Sequence, residues 1–271
     1  MSIKRIITTA IGLPIVIAIL ALGNKYIIDI IFAIIATISM YEYIKCAKEK
    51  VKIISWISYV CTLSIACLHI IPTEILINIS IFGIPIILLI LFMHVIISNM
   101  KITFKDITFS FIGVCYIVGF VIFLPLTYGI EGKISGKILI WFIVLSAWGT
   151  DIFAYIVGKH FGKHKFSKVS PNKTIEGCIA GAIFAVIFNL TYTYFINKYL
   201  GYEITYISIS IITIILSLIG QIGDFSASVI KRYFGVKDFS NLFPGHGGMI
   251  DRLDSVMFIA PFAYCLLAMF I

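Results

Sequence analysis

Charge is scarce in this chain. Only 13% of its 271 residues are Asp, Glu, Lys or Arg, and 61% are hydrophobic. A soluble globular domain carries about 25% charged and 45–50% apolar residues, so a water-soluble enzyme is excluded. A disordered protein is excluded too, because disorder needs low hydrophobicity. The formal charge of +8 does not indicate a nucleic-acid reader. So few charges on so apolar a chain point instead to asymmetric membrane loops. Extended polar stretches, internal repeats and low-complexity linkers are also missing, and no separate soluble domain is expected. The six cysteines (Cys46, Cys61, Cys67, Cys115, Cys178 and Cys265) show no CxxC spacing. Lying in or beside apolar runs, they read as small buried hydrophobes, not disulfides or zinc ligands.

What the chain does have is long apolar runs. A helix needs about 20 apolar residues to cross a bilayer. Windows of that size predict about nine transmembrane helices, at 6–22, 26–44, 53–71, 75–97, 106–128, 138–157, 176–197, 204–223 and 253–271. The fold class is therefore all-α, a polytopic integral membrane protein forming a single membrane domain. Residues 1–135 read as scaffold helices with lipid access and dimer contacts, and 136–271 as catalytic helices and loops. The first run, behind Lys4 and Arg5 and ending near Ala21 and Gly23, has some features of a signal peptide. Its apolar run from Ile6 to Leu22, 17 residues long, exceeds the usual 7–15 of such a segment, so it is read as a retained helix.

Sidedness follows from the loops. Seventeen of the twenty-one Lys and Arg fall before the first segment or after the second, fourth, sixth and eighth. The other face has Lys25, Lys133, Lys137 and Lys198. The cationic face is expected to be cytoplasmic, with the N-terminus inside and the C-terminus outside. A bacterial plasma membrane fits this pattern, although an organelle would look similar.

Carboxylates gather where a simple anchor would carry only Lys and Arg. Asp151, Glu176, Asp224, Asp238, Asp251 and Asp254, six of the thirteen acids, lie in or near the segments 158–175 and 224–252. Mixed clusters of this kind suit a divalent cation together with a polyanion, since carboxylates hold Mg²⁺ and Lys and Arg hold phosphate oxygens. Asp151 sits inside the sixth segment, where an acid costs about 2.5–3.5 kcal/mol on the insertion scale. The eleven Ile, Leu, Phe and Val of 138–157 return roughly 3–7 kcal/mol on the same scale. An intramembrane acid is read as functional by default.

The next stretch, GKHFGKHKFSKVSPNKTIEG, is lysine-rich. Its HxxxH pair, His160 and His164, is a weak metal signal. Ser170 and Pro171 predict the N-cap and first residue of a helix, with Asn172, Lys173 and Thr174 in its first turn. Gln221, Asp224, Ser228 and Lys231 share one helical face within about 80°. Ile222, Phe225 and Val229 form the opposite, greasy side. Then comes KDFSNLFPGHGGMIDRLDS. Pro244, Gly245, Gly247 and Gly248 predict a tight turn around His246 whose backbone can approach a ligand closely. A last helix is expected from near Ile250, with Asp251, Asp254 and Ser255 on one face. Acids are favoured at a helix N-terminus in any case, but that does not account for their coincidence with the glycine turn and with Lys231, Arg232, Lys237 and Arg252.

These residues resemble the signature of the phosphatidate cytidylyltransferase family, also called CDP-diacylglycerol synthases. The pattern is Ser228, Lys231, Arg232, Lys237, Asp238, His246, Gly247, Gly248, Asp251, Arg252 and Asp254, eleven positions over 27 residues. The stretches from Asp151 to Lys163 and from Ser170 to Gly177 resemble the family's second block, with Asn172 standing where the family has a lysine. The resemblance implies an all-helical membrane enzyme, a homodimer, joining CTP to phosphatidic acid with release of pyrophosphate, in phospholipid biosynthesis. It implies Mg²⁺ on Asp224 and Asp251, and a monovalent cation such as K⁺ beside it. In that reading Lys231, Arg232, Lys237 and Arg252 steady phosphates. Gly247 and Gly248 admit the nucleotide to backbone N–H groups, and His246 orients a phosphate or donates to it. Asp238 and Asp254 support or join the metal ligands, while Asp151, Lys173, Thr174 and Glu176 line the same cavity and Ser228 contacts substrate. The alternatives are a CTP-dependent enzyme acting on another lipid (a polyprenol kinase or isoprenoid-ether cytidylyltransferase) and an anion transporter. The transporter would show inverted repeats and broken helices, which are not seen. A CDP-alcohol phosphotransferase would need an Asp-Gly-x-x-Ala-Arg run, which is missing.

Overall fold

A computed structural model describes residues 3–167 and 169–270. Lys168, one of the loop lysines counted above, and Ile271, the end of the ninth segment, lie outside them. The described residues form ten α-helices: α1 (Ile3–Leu22), α2 (Lys25–Ala47), α3 (Ser55–Leu63), α4 (Thr73–Ile97), α5 (Phe104–Val121), α6 (Phe123–Tyr128), α7 (Gly136–Phe161), α8 (Ile175–Leu200), α9 (Tyr206–Phe234) and α10 (Ile250–Phe270). A 3₁₀ turn, Ser64–Cys67, continues α3. Among the described residues there is no strand, only isolated bridges between Lys165 and Thr174 and between Phe243 and Gly247. The fold is all-helical, as the apolar runs require.

Five of these stretches are long and apolar enough to cross a membrane: Lys25–Ala47, Phe104–Tyr128, Gly136–Phe161, Ile175–Leu200 and Tyr206–Phe234. Shorter apolar helical stretches run over Ala10–Leu22, Ser55–Cys67 and Ile81–Ile97. The break between α5 and α6 falls at Ile122, three residues before Pro125. Proline has no N–H to donate back along the helix, and its ring clashes with the preceding turn.

The chain divides into two compact units. The first comprises residues up to Pro125 together with Phe234–Ile250. Here α2 packs against α3, its 3₁₀ extension and α5. Ile54, Ile57, Leu91 and Ile107 make one buried cluster. Tyr43 Oη donates to the Phe109 carbonyl at 3.1 Å, and its ring meets Phe234 edge-on. Buried acids tie the connections together. Asp29 accepts from His69 N at 2.9 Å and lies 2.7 Å from His69 Nδ1. Asp106 accepts from Lys52 N and closes a capping box with Thr103 at the start of α5.

The second unit comprises Leu126–Tyr233 together with the residues from Asp251 onward. Its centre is the α7–α8 pair, which packs through small residues. A Cβ added at Gly177 would lie 2.5 Å from the Ala154 carbonyl oxygen, and one at Gly181 would lie 2.6 Å from that of Thr150. Such spacing lets backbones approach where lipid offers no hydrophobic drive. Hydroxyls and amides bind the layer further: Asn189 donates to Ser146 and Thr213, and Thr150 meets Ser217 at 2.7 Å. On α9, Gly223 admits the Asp254 carbonyl and the Phe258 side chain. This close approach brings the polar ends of α9 and α10 together.

Candidate active site

The second unit gathers acids and cations from four separate pieces of chain. Asp151 comes from the C-terminal half of α7. Asp224 and Lys231 come from α9, Asp251, Arg252 and Asp254 from the first turns of α10, and Lys173 from the hairpin before α8. That hairpin is fixed by backbone bonds, Phe166 N to the Lys173 carbonyl at 3.0 Å and Ile175 N to the His164 carbonyl at 2.9 Å. The predicted helix start at Ser170 and Pro171 is corrected here. Residues 170–173 form a turn, with Lys173 N bonded to the Ser170 carbonyl, and Thr174 is the N-cap, its hydroxyl accepting from Gly177 N. The helix starts later because Thr174 offers the first extended residue with a capping side chain.

Two ion pairs organise the cluster. Lys173 Nζ bonds directly to Asp224 Oδ2. The same ammonium lies 4.5 Å from the centre of the Phe225 ring, a cation–π arrangement, and Phe225 stacks on Phe166. Lys231 Nζ donates to Asp251 Oδ1 at 2.6 Å, and the Asp251 side chain is only 4% exposed. Asp254 is buried and accepts from Ser255 N at 2.8 Å. Asp151 is exposed and accepts from Ser255 Oγ at 3.3 Å. Electrostatically the groups form one set: Asp254 feels Asp224, Asp151 and Lys231, while Asp151 feels Asp224, Lys173 and Arg252. Acids at such range repel one another unless cations intervene.

The predicted polar face of α9 is present. Gln221 and Ser228 are buried, whereas Ile222 and Val229 on the reverse are more than half exposed. Arg232 and Arg252 are exposed. Thr174 and Glu176 serve local structure. Thr174 caps α8, and Glu176 lies 2.6 Å from His164 Nδ1 while also accepting from His164 N. Beside these residues, α8 and α9 enclose an apolar cavity of about 1040 Å³, with Phe166 and Phe225 in its wall and Gln221 among the few polar groups lining it.

The remaining predicted residues, Lys237, Asp238, His246, Gly247 and Gly248, belong to the first unit. Phe243 to His246 form a turn closed by His246 N to the Phe243 carbonyl at 2.8 Å. Pro244 and Gly245, the latter at φ +81°, occupy the two central positions as a type II turn demands. Lys237 and Asp238 are exposed. The sequence reading missed a residue here. Glu42 on α2, almost wholly buried, accepts from Ser240 Oγ at 2.5 Å, Met249 N at 2.8 Å and Ile250 N at 3.0 Å. A Cβ on Gly248 would lie 2.5 Å from its carboxylate, which explains that glycine without any ligand. An acid inside the apolar run 26–44 carried the same signal as Asp151 and would have revealed it.

Among the described residues no three His, Cys, Asp or Glu side chains form a ready cage for an ion. Mg²⁺ is held differently, by one or two carboxylates with water and substrate phosphates completing the shell. Asp224 and Asp251, hard oxygen donors now paired with lysines, fit that donor chemistry.

Comparison with known proteins adds to this geometry. Residues 3–270 match the model of the cytidylyltransferase family. The chain is 40% identical over 180 residues to the phosphatidate cytidylyltransferase of Staphylococcus saprophyticus, a match covering 66% of this chain and 65% of that protein. It is 40% identical over 176 residues to the phosphatidate cytidylyltransferase of Staphylococcus aureus, covering 64% of each. The namesake protein of Staphylococcus epidermidis is 38% identical over the same length and coverage. The matched stretch thus spans just under two thirds of these relatives' own length.

Proposed function

Because the chain belongs to the cytidylyltransferase family, we propose that it transfers the cytidylyl group of CTP to phosphatidic acid, forming CDP-diacylglycerol and pyrophosphate. A phosphate oxygen of the lipid forms a bond to the α-phosphorus of CTP, and the bond from that phosphorus to the bridging oxygen of the β-phosphate breaks. The lipid phosphate is already a nucleophile, so no activated Ser or Cys is required. The difficulty is electrostatic, since two polyanions must meet in line.

The observation that carries this reading is the convergence of Asp151, Asp224, Asp251 and Asp254 with Lys173, Lys231 and Arg252 in one unit. Lys173 and Lys231 exchange carboxylate partners for phosphate oxygens when the substrates arrive. Asp224 and Asp251, so released, are the residues that would hold Mg²⁺, and a K⁺ ion is a further candidate there. Bound Mg²⁺ would neutralise triphosphate charge and fix its geometry. The 1040 Å³ apolar cavity next to Lys173 and Phe225 suits the tail of a lipid whose phosphate lies at the ammonium. We further infer nine crossings, with the short apolar stretches and α10 added to the five long ones, and the cluster facing the cytoplasm of a bacterial cell. A homodimer completes the proposal.

Membranes containing the protein are to be incubated with phosphatidic acid and CTP labelled at either the α- or the γ-phosphate. The expected result is α-label in the organic phase and γ-label in water as pyrophosphate. Transfer of γ-label to lipid would make the protein a CTP-dependent lipid kinase and overturn the proposal. Asp224→Asn is expected to abolish turnover with expression near normal, and Asp251→Asn to abolish it with a loss of stability as well, because it removes the acceptor of the buried Lys231 ammonium. Activity like the wild type in either variant would remove the metal assignment.

A further inference from the structure

The first unit contains another cavity, a polar one of about 280 Å³. Two connections line it, one between α2 and α3 and the other between α4 and α5. Five lysines face it: Lys48, Lys50 and Lys52 from the first, Lys101 and Lys105 from the second and the start of α5. None of them belongs to the acid–lysine cluster of the second unit. All five side chains are exposed.

Two acids also line the cavity, Glu49 and Asp106. Asp106 is committed elsewhere. Its Oδ1 accepts from Lys52 N at 2.7 Å, and its Oδ2 accepts from both Thr103 N and Thr103 Oγ1 at 2.8 Å. Those bonds make it a staple that holds the two connections together. By formal charge the lining is five cations against two anions. A fold that only needed positive loops for orientation would not have to draw both sets of lysines around one concavity.

The rim is apolar. Ile97, Met100 and Phe104 are each at least 69% exposed, at the end of α4 and the start of α5. Lysines beside large exposed apolar side chains are arranged for the boundary between headgroups and acyl chains. Basic pockets between membrane helices on the cationic face bind phosphate headgroups.

We propose that this cavity is a binding site for the phosphate headgroup of an anionic membrane lipid, with Lys50, Lys52 and Lys101 holding the phosphate and Phe104 and Met100 against its acyl chains. The ligand is a phosphodiester or phosphomonoester; the exposed Ile97, Met100 and Phe104 beside the lysines favour the lipid over free phosphate. The site does not depend on the catalytic proposal.

The test uses the full-length purified protein in neutral detergent. Phosphatidylglycerol, an anionic diester outside the proposed reaction, is titrated in, and bound lipid is counted by native mass spectrometry. Inorganic phosphate is titrated in a parallel arm. The expected result is retention of phosphatidylglycerol that phosphate does not displace. Lys50→Gln/Lys52→Gln/Lys101→Gln is expected to weaken it about a hundredfold, as three surface lysines should. Lys159→Gln/Lys163→Gln/Lys165→Gln, which removes the same charge elsewhere, is expected to leave it unchanged. Equal losses in both triples would reduce the effect to general surface attraction and overturn the site. Displacement by inorganic phosphate would overturn the lipid assignment, and so would no retention at all. Circular dichroism of the first triple guards the outcome: since Lys52→Gln keeps the backbone N–H that Asp106 accepts from, the helical spectrum is expected to persist.

Discussion

At the scale of single residues, the Lys231–Asp251 pair sets the strongest expectation. With the Asp251 side chain 4% exposed and the lysine 12%, removing one partner strands a buried charge. Such losses cost about 3–5 kcal/mol. Lys231→Met is therefore expected to lower the thermal midpoint sharply, and Lys231→Met with Asp251→Asn to restore much of it without restoring turnover. Thermal unfolding and CTP turnover on both variants check this. If the double variant is no more stable than the single one, the pair is not a coupled unit. Glu42 sets a second expectation. Its two oxygens serve three donors, two of them backbone N–H groups of the segment that carries the glycine turn and runs on along the chain into Asp251. Charge-assisted bonds of this type contribute about 1.5–3 kcal/mol each. Glu42→Ala is expected to destabilise by several such bonds, and Glu42→Gln, which keeps one acceptor, to fold while raising the KM for CTP. An unchanged KM in a folded Glu42→Gln would reduce Glu42 to a packing group. The polar face of α9 and the acids of α10 were legible in the sequence because helical spacing alone places them. Glu42 was passed over because Lys45, Lys48, Lys50 and Lys52 just after it read as an orienting loop; its partners lie about 200 positions away.

At the scale of elements, hydropathy located the helices well because a membrane-length apolar run leaves the backbone little alternative. It did not locate their interruptions. The 3₁₀ turn at Ser64–Cys67 and the break at Ile122 fall inside runs that read as continuous. Nor did it find the start of α8, where Ser170-Pro171 imitates a cap but closes a turn. The pairing of α7 with α8 was hidden for another reason: small residues are ambiguous until the partner helix is known. Gly177 and Gly181 have the four-residue spacing of a close helix contact. With the Thr150 carbonyl oxygen 2.6 Å from an added Cβ at Gly181, and backbone unable to yield as a side chain would, Gly181→Ala is expected to cost about 1–3 kcal/mol. Gly12, where nothing lies within 4 Å, is the control: Gly12→Ala is expected to leave the midpoint unchanged or slightly raised. Comparable losses at both positions would mean that the α7–α8 contact is looser than described.

At the scale of the whole molecule, orientation decides whether the cluster can meet a soluble nucleotide at all. The proposed reaction with CTP requires the acids and lysines to open toward the cytoplasm. The lysine asymmetry argues for that side. The connection after α2 and the connection after α4 line one cavity, so their lysines gather at one end of the first unit. Orientation by charge is a statement about loops, and loops can be probed directly. In a cysteine-free background, Lys133→Cys and Lys163→Cys, both at exposed positions, are expected to behave oppositely. A membrane-impermeant maleimide added to intact cells should label the cysteine at 133, in the connection between α6 and α7. The cysteine at 163, in the hairpin that carries Lys173, should react only after the cells are opened. The reverse pattern would put Lys173 and its neighbours outside, away from CTP. Labelling of both in intact cells would mean that α7 does not cross, and Asp151 would then be a surface acid with no reason to be costly.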